Sequence, residues 1–175
     1  MARKLAVVAA VVALVFGAAV ASAGPAAAAT CSASSSGPVT GGQSVTLFCS
    51  DVGFVRGYGS DLTAANQEAL LLHQFFASSG DDCSGSSVAT ATGGFQVTLF
   101  CSVEAFVTGY GSTLTDAAGE ARQLAMLSRD CSGSSVARVS GGFDVAIFCS
   151  TTGFIHGRGS SLTGAAQNAR LAAGG

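Results

Sequence analysis

One sequence unit occurs three times in this chain, and each copy contains two Cys-Ser dipeptides 18 residues apart. The dipeptides begin at Cys31 and Cys49, at Cys83 and Cys101, and at Cys131 and Cys149. A Gly-Gly-x-x-Val-x-(Leu/Ile)-Phe segment lies between the two dipeptides, and a Gly-x-Gly-Ser segment, Leu-Thr and an alanine-rich stretch follow them. Such a unit, repeated after 52 and then 48 residues, predicts a repeat architecture in which neighbouring units bury a shared core.

The first residues of the chain have the composition of an export signal. Arg3 and Lys4 precede an almost purely apolar run, and Ala21-Ser22-Ala23 supplies the small-x-small pattern that signal peptidase cleaves. The run is shorter than the roughly 20 residues that span a bilayer, so no transmembrane anchor is expected after cleavage. The predicted organisation is a signal peptide (1–23), an alanine-rich segment (24–30), unit 1 (31–80), unit 2 (83–128) and unit 3 (131–175).

The composition after residue 23 argues against a nucleic-acid partner. Six arginines and no lysine face ten acidic residues there, a net charge of about −4 that gives no basic field for phosphate backbones. An even number of cysteines in an exported chain predicts disulfides and a secreted, extracellular location. The Ala-, Gly- and Ser-rich, lysine-poor composition resembles that of secreted actinobacterial proteins.

The segment between the two cysteines of each unit is typical of a β-hairpin. In unit 2, Val97, Leu99 and Cys101 share one face of the second strand, and a Gly-Gly pair precedes that strand. If Cys83 lies opposite Cys101, the midpoint falls at Thr92, directly before the glycines, where glycine can close a tight turn. The same midpoint test holds in units 1 and 3, so the pattern predicts one hairpin per unit.

The hairpin register predicts one disulfide within each unit. The pairs are Cys31–Cys49, Cys83–Cys101 and Cys131–Cys149. Each would close a loop that stabilises the fold by roughly 3 kcal/mol in the chain-entropy model. The alternatives are reduced core cysteines and a cysteine metal cluster. Because the chain contains neither Cys-x-x-Cys nor histidine close to the cysteines in sequence, we expect no metal and no cofactor.

A short third strand and a helix are predicted after the second cysteine of each unit. In unit 1, Leu62, Ala65, Ala69 and Leu72 recur at helical spacing, and the other units repeat this stripe. The N-cap is expected at Ser60 and its equivalents, or at the threonine three residues on. The apolar stripe would lie on the Val/Leu face of the hairpin.

Short connections between the units favour one packed domain over three separately folded units. We therefore predict an α+β fold of three tandem, disulfide-stapled β-β-(β)-α units packed into one compact domain. Phe75 and Phe76 are expected to contact the next unit. Glu68 and Glu120 occupy one helix position that Asn168 breaks, and we expect these carboxylates to face solvent.

About 30 residues of each unit resemble the C-terminal half of a double-stranded-RNA-binding domain. In unit 2 the resemblance runs from Gly94 through the Phe-Val-Thr-Gly-Tyr-Gly-Ser segment to Ala118. It implies two strands, a Gly-x-Gly-Ser-like loop and an alanine-rich helix. That family contacts phosphates with lysines at the start of this helix, where unit 2 has Leu114-Thr115. The resemblance therefore supports the topology and predicts no RNA function.

The Gly-x-Gly-Ser segments are interpreted as turns, because leucine occupies the position of the third glycine in a dinucleotide fingerprint. Side chains within and just before these segments differ between the units. We identify them as a candidate recognition rim, with unconstrained drift at an exposed site as the alternative. The rim residues are Arg56, Tyr58, Thr108, Tyr110, His156 and Arg158.

No catalytic residue is predicted. The two histidines, His73 and His156, lie in different units, and neither recurs in the equivalent positions. The expected function is that of a non-enzymatic secreted binding or interaction module acting at or outside the cell surface, with cell-wall polymer or an extracellular protein as partner. The alternative is a secreted inhibitor or antagonist of an extracellular enzyme, which would insert a disulfide-locked hairpin loop.

Overall fold

The structure is a computed structural model that describes residues 30–127 and 130–174. Each unit forms three antiparallel strands followed by a helix, which confirms the predicted α+β repeat fold. The elements are β1 (Cys31–Val39), β2 (Gly42–Cys49), β3 (Gly53–Gly59), α1 (Leu62–Ser79), β4 (Cys83–Ala91), β5 (Gly94–Cys101), β6 (Ala105–Gly111), α2 (Leu114–Ala125), β7 (Cys131–Val139), β8 (Gly142–Cys149), β9 (Gly153–Gly159) and α3 (Leu162–Ala172). The predicted signal peptide lies outside the described residues.

All three predicted disulfides are present, and each joins residues that lie directly opposite each other in a hairpin. In unit 2 a two-residue turn closes the hairpin, with Gly93 at a φ of 85°, in the left-handed region that glycine tolerates. The register is not uniform, however. A bulge between Gly85 and Ser87 shifts the pairing by one residue, so Ala91 pairs with Gly94.

The Gly-x-Gly residues belong to the third strand, so the prediction that they form turns was wrong. In unit 2, Gly109 and Gly111 lie in β6 beneath the first turns of α2. A Cβ on Gly109 would lie 2.1 Å from the backbone nitrogen of Ala121, and one on Gly111 would lie 2.3 Å from that of Ala117. Glycine is needed here because the helix backbone rests directly on the strand.

The helix N-caps are Asp61, Thr113 and Ser161, whose side chains accept hydrogen bonds from backbone amides of the first turn. The prediction of caps at Ser60 and its equivalents, or three residues later, was therefore wrong. Because β3 continues to Gly59, Ser60 lies in the connection, and its N–H donates to Thr115 Oγ1 of unit 2 at 3.0 Å.

The core lies between the helices and one face of the sheets. In unit 2, Val97 and Leu99 of β5 and Leu114 and Leu124 of α2 are fully buried, as the two predicted periodicities require. Buried residues of all three units form one hydrophobic cluster, which confirms the shared core. Among residues 30–127 and 130–174, no helix combines the length and the apolar character needed to cross a membrane.

Consecutive units meet at junctions where the last strand of one contacts the first strand of the next. Ser84 Oγ accepts a hydrogen bond from the Arg56 N–H, and Ser132 Oγ accepts one from the Thr108 N–H, both at 2.9 Å. Neighbouring helices also contact each other, so all three lie on the same side of the sheets. The opposite side, here called the outer face, carries none of the three described helices.

Buried ion pairs join the helices of adjacent units. Arg122 Nε lies 2.9 Å from Glu68 Oε1, and Arg170 Nε lies 3.0 Å from Glu120 Oε1. Burial raises the pKa of both glutamates, and the arginines oppose this effect. The expectation that these carboxylates face solvent was wrong. Asn168 stands at the equivalent position of unit 3, whose helix contacts no further unit among the described residues.

Tyrosine and glycine side chains form a matched contact at each junction. A Cβ on Gly133 would lie 2.6 Å from the Tyr110 ring, so Tyr110 packs closely against this glycine, and the junction of units 1 and 2 repeats the contact. The terminal units break the pattern. Unit 3 has Arg158 at the tyrosine position, and unit 1 has Ala33 at the glycine position.

The exposure of the leucine that begins each helix also depends on whether another unit packs against it. Leu114 and Leu162 are fully buried, whereas Leu62, against which no other described unit packs, is 51% exposed. Repeat proteins require terminal units whose outward surfaces differ from the internal contacts. Much of the variation between the copies therefore reflects the presence or absence of a neighbouring unit.

Candidate binding surface

The six predicted rim residues do not form one shared rim. Tyr58 and Tyr110 are buried in the junctions. Arg56 is exposed, but its Nε lies 3.2 Å from Thr46 Oγ1, to which it donates a hydrogen bond. Thr108 is nearly buried, and its hydroxyl lies 3.1 Å from that of Thr98. These four residues therefore stabilise the sheets and junctions.

The remaining two rim residues form a charged cluster on unit 3. His156 Nδ1 and Arg158 Nε lie 2.8 and 2.9 Å from the two carboxylate oxygens of Asp144. Hydrogen bonds from His156 and then Arg158 hold the pKa of Asp144 below its usual value. His156 and Arg158 are exposed, so this cluster gives the last unit a polar surface where the first two units have buried tyrosine contacts.

A feature common to all three units lies on the outer face, next to the disulfides. It consists of cross-strand phenylalanine pairs, which we call rungs: Phe48–Phe54, Phe100–Phe106 and Phe148–Phe154. Ring centroids within a rung are 5.1–5.3 Å apart, and the ring planes meet at 60–62°. Each ring remains 45–64% exposed. We call the three rungs together the Phe ladder.

The alternation of each strand explains why these rings are exposed. Leu99 and Cys101 point toward the helix and are buried, so Phe100 between them must point to the outer face. Its partner Phe106 lies opposite on β6, next to buried Val107. The hairpin register therefore places two large apolar rings of each unit side by side in solvent.

Sequence reasoning missed the Phe ladder, although a signal for it was present. Exposed positions of a repeat usually vary, yet phenylalanine occupies two outward positions in all three units. The prediction of the rim followed positions where the units differ, and those differences arise largely from the junctions. Identical apolar residues on the solvent face of a strand were the better indicator of a contact surface.

His73 forms a separate pair with a carboxylate. Its Nε2 lies 2.9 and 3.0 Å from the two carboxylate oxygens of Asp51. Partial burial opposes ionisation, but the hydrogen bond from His73 and those from backbone amides hold the pKa of Asp51 below its usual value. Among the described residues, no serine hydroxyl forms a hydrogen bond with either histidine ring, so no Ser-His-Asp arrangement is assembled there.

Two groups of potential metal ligands also come together in the described part of the chain. One combines His73 with Cys31 and Cys49, and the other combines Asp81 and Glu104 with the cysteines of unit 2. All of these cysteines are in disulfides, so their sulfur atoms are not available as thiolate ligands. Only a single imidazole and a pair of carboxyl groups are left as ligands.

The carboxyl pair lies beside a cavity of about 240 Å³ between units 1 and 2, lined partly by Phe75. Phe75 and residues of unit 2 thus line the same cavity, and Phe75 packs against the shared core, whereas the structure shows only that Phe76 is half-buried. Asp81 Oδ1 accepts hydrogen bonds from the Ser102 hydroxyl at 2.6 Å and the Val103 N–H at 3.0 Å.

Glu104 is the carboxyl group of this pair that is protonated more readily. Its Oε2 is buried and has no donor within the described part of the chain. Burial, then the hydrogen bond to Asp81 and the negative charges of Asp81 and Asp130, raise the pKa of Glu104 to about 7. Burial opposes ionisation of Asp81, but hydrogen bonds from Glu104, Ser102 and backbone amides lower its pKa. Asp81 is therefore the ionised partner.

Replacing Glu104 with glutamine should remove a pH dependence of stability. The folded chain binds this proton up to about pH 7, while the usual pKa of glutamate is 4.5, so the contribution of Glu104 is full below pH 4.5 and is lost as pH rises to 7. After allowance for solvent screening, we expect the wild type to lose about 1–2 kcal/mol relative to Glu104→Gln over that window. Urea unfolding from pH 4.5 to 8 measures this difference.

The exposed neighbour Asp82 provides the control, because Asp82→Asn changes one carboxylate outside the pair. This variant should show the pH profile of the wild type. If Glu104→Gln follows that profile too, the shared proton is refuted.

No protein-family model matches this chain, and no curated protein matches it either. The function of the chain must therefore be inferred from its own residues and contacts.

Proposed function

We propose that this chain is a non-enzymatic, secreted binding module that contacts a macromolecule at or outside the cell surface through the Phe ladder. Three disulfides fit an oxidising compartment, and the predicted signal peptide would deliver the chain there. The single observation behind the proposal is the presence of three equivalent, exposed aromatic rungs on one face.

The exposed area of the ladder supports a role in binding. With about 200 Å² per phenylalanine side chain and roughly half of each exposed, the six rings present roughly 600 Å² to solvent. The three rungs together expose about as much apolar area as the largest patch on a typical monomer, divided among three places. The core of each unit lies on the other side of the sheet, so the fold gains little from keeping these rings apolar. Three equal rungs also allow three weak contacts to act together.

The arrangement of titratable groups supports a non-enzymatic role. His73 and His156 lie in different units, and each is paired with its own aspartate. Covalent catalysis needs a nucleophile that is oriented by a base. Among the described residues, no such pair is assembled around either histidine ring. Charged side chains at the junctions are accounted for by ion pairs that join the helices.

An inhibitor is the second candidate, and one observation favours it. The hairpin turn of unit 3 is open, since a Cβ on Gly141 would meet no atom within 4 Å. The equivalent turns of units 1 and 2 are covered, because Gly41 and Gly93 lie against Phe95 and Phe143 of the next unit. One free turn could insert into an enzyme, but this role would leave the three rungs unused.

Binding to washed bacterial cell walls, measured beside inhibition of extracellular proteases, tests the proposal. The oxidised chain should sediment with the walls and leave protease activity unchanged. Replacing the central rung by Phe100→Thr and Phe106→Thr should weaken binding about tenfold, because one of three contacts is lost. Threonine keeps the strand propensity, so the fold should persist.

The matched control removes exposed apolar side chains elsewhere. Met126 directly follows α2, Leu171 lies in the last turn of α3, and both are about as exposed as the rung residues. The double variant Met126→Ala, Leu171→Ala should therefore bind like the wild type. Equal weakening in both variants would contradict a ladder-specific contact. Stoichiometric protease inhibition without wall binding would establish the inhibitor instead.

A further inference from the structure

The geometry of the Phe ladder suits a ligand that is itself periodic. The three rungs have nearly the same centroid distance and interplanar angle, so each offers the same site. The last strand of each sheet contacts the first strand of the next, so the three rungs follow one another in the order of the units. A polymer that repeats one chemical group along its length could contact all three rungs in the same manner.

The charges around the ladder argue against an anionic ligand. Unit 2 has no charged side chain on its strands. Unit 1 has Arg56 two residues after Phe54, and in unit 3 Asp144 pairs with His156 and Arg158, so free cations do not recur beside every rung. Exposed acidic residues, among them Asp51 and Asp82, lie in the connections at the disulfide end of the described sheets, where the rungs are. A polyanion or an anionic membrane surface would need repeated cations beside the rungs.

Hydroxyl groups accompany each rung. Ser84 lies opposite Phe100 in the hairpin register, and Ser32 and Ser132 occupy the same place in units 1 and 3. An aromatic ring bordered by hydroxyl groups fits a pyranose sugar, whose C–H bonds form an apolar face and whose hydroxyl groups need hydrogen-bond partners at the edge.

A second copy of the chain fits the ladder less well. The roughly 600 Å² that the rings expose is below the about 800 Å² per partner of a standard stable interface. Stacking of units end to end is also blocked, because Arg158 would meet Ala33 where the internal junctions pair tyrosine with glycine. An extended ligand along the rungs requires neither a dimer interface of standard area nor end-to-end stacking of units.

On these grounds we infer, resting on the proposed function, that the ligand of the Phe ladder is an uncharged polysaccharide. The chain of sugar rings lies across the three rungs on the outer face. Each rung stacks against the C–H face of one or two sugar rings. The serine hydroxyl beside it donates a hydrogen bond to the sugar, because the oxygens of Ser84 and Ser132 already accept one from the preceding unit. Affinity comes from simultaneous contact with three rungs.

Binding of the whole oxidised chain to insoluble chitin and cellulose is the direct test. We expect retention on at least one of them that changes less than about twofold between 0.05 and 0.5 M NaCl, because no charged contact is involved. Removing the central rung with Phe100→Thr and Phe106→Thr should raise the apparent Kd about tenfold. A soluble disaccharide of the same sugar should bind at least about tenfold more weakly than the polymer, because it reaches a single rung.

A second variant separates aromatic stacking from general apolar contact. Changing one ring of every rung by Phe54→Leu, Phe106→Leu and Phe154→Leu keeps the surface apolar and the fold intact. This variant should lose at least about tenfold in polysaccharide affinity. Its retention on phenyl-agarose should equal that of the wild type.

Several results would overturn the inference. Undiminished polysaccharide binding by the leucine variant would do so, as would binding only to anionic wall polymer, to phosphatidylglycerol vesicles or to an extracellular protein. A stable dimer that the central-rung variant dissociates would assign the ladder to a second copy. If wall binding depends on the ladder but chitin and cellulose do not bind, the proposed function stands and this inference fails. If the ladder variants leave wall binding unchanged, both fail.

Discussion

Replacing Gly109 with alanine should lower the free energy of unfolding by at least about 3 kcal/mol. The new Cβ would lie 2.1 Å from the backbone nitrogen of Ala121 and 2.5 Å from the carbonyl oxygen of Ala117. Both atoms belong to the backbone of α2, so no side-chain rotation can relieve the clash. The helix would have to lift from the sheet and open the core above Val97 and Leu99. Urea unfolding monitored by circular dichroism measures the loss.

Gly119 provides a matched control in the same helix. A Cβ there would meet no atom within 4 Å, and the helical backbone suits alanine. Gly119→Ala should therefore stabilise the chain by about 0.5–1 kcal/mol, because alanine is the better helix former. Similar destabilisation by both substitutions would show that α2 does not rest on Gly109.

The elements of one unit could be predicted from its sequence because their patterns are local. Alternation in β5 predicted which side chains face the helix, and the spacing of the cysteines predicted the disulfides. Details that depend on where one element ends were predicted less well. Ser60 looked like an N-cap because serine favours that position, but the strand before it runs to Gly59 and shifts the cap to Asp61.

The junctions could not be predicted from one unit, because they depend on which residues of two units meet. Glu68 looked like a solvated helix residue until Arg122 of the next unit was found beside it. The tyrosine of the Gly-Tyr-Gly-Ser segment looked exposed for the same reason. Once the neighbouring unit is known, the difference between Gly133, which Tyr110 contacts, and Ala33 at the equivalent position of unit 1 can be explained.

The Phe ladder illustrates a different limit. The alternation of β5 correctly put Phe100 on the face opposite the core, but no rule of secondary structure says why an exposed position should be apolar. That information lies in the comparison of the three units, which keep phenylalanine where solvent would accept almost any residue. Function is expected where the units agree without a structural need.

Replacing Tyr110 with alanine should destabilise the chain by about 3–4 kcal/mol. The ring is buried between units 2 and 3, where it packs against Gly133, and its removal leaves a cavity that the glycine cannot fill. Because the units share one core, we expect the whole chain to unfold in a single transition at lower urea concentration. Equilibrium unfolding measured by fluorescence and by circular dichroism should give the same midpoint.

Arg158 occupies the equivalent position in unit 3 and provides the comparison. Its side chain is exposed and its one ion pair, with Asp144, is at the surface, so Arg158→Ala should change stability by no more than about 0.5 kcal/mol. A large difference between the two alanine variants would show that the tyrosine position stabilises the fold only where a neighbouring unit covers it. Equal effects would contradict this explanation.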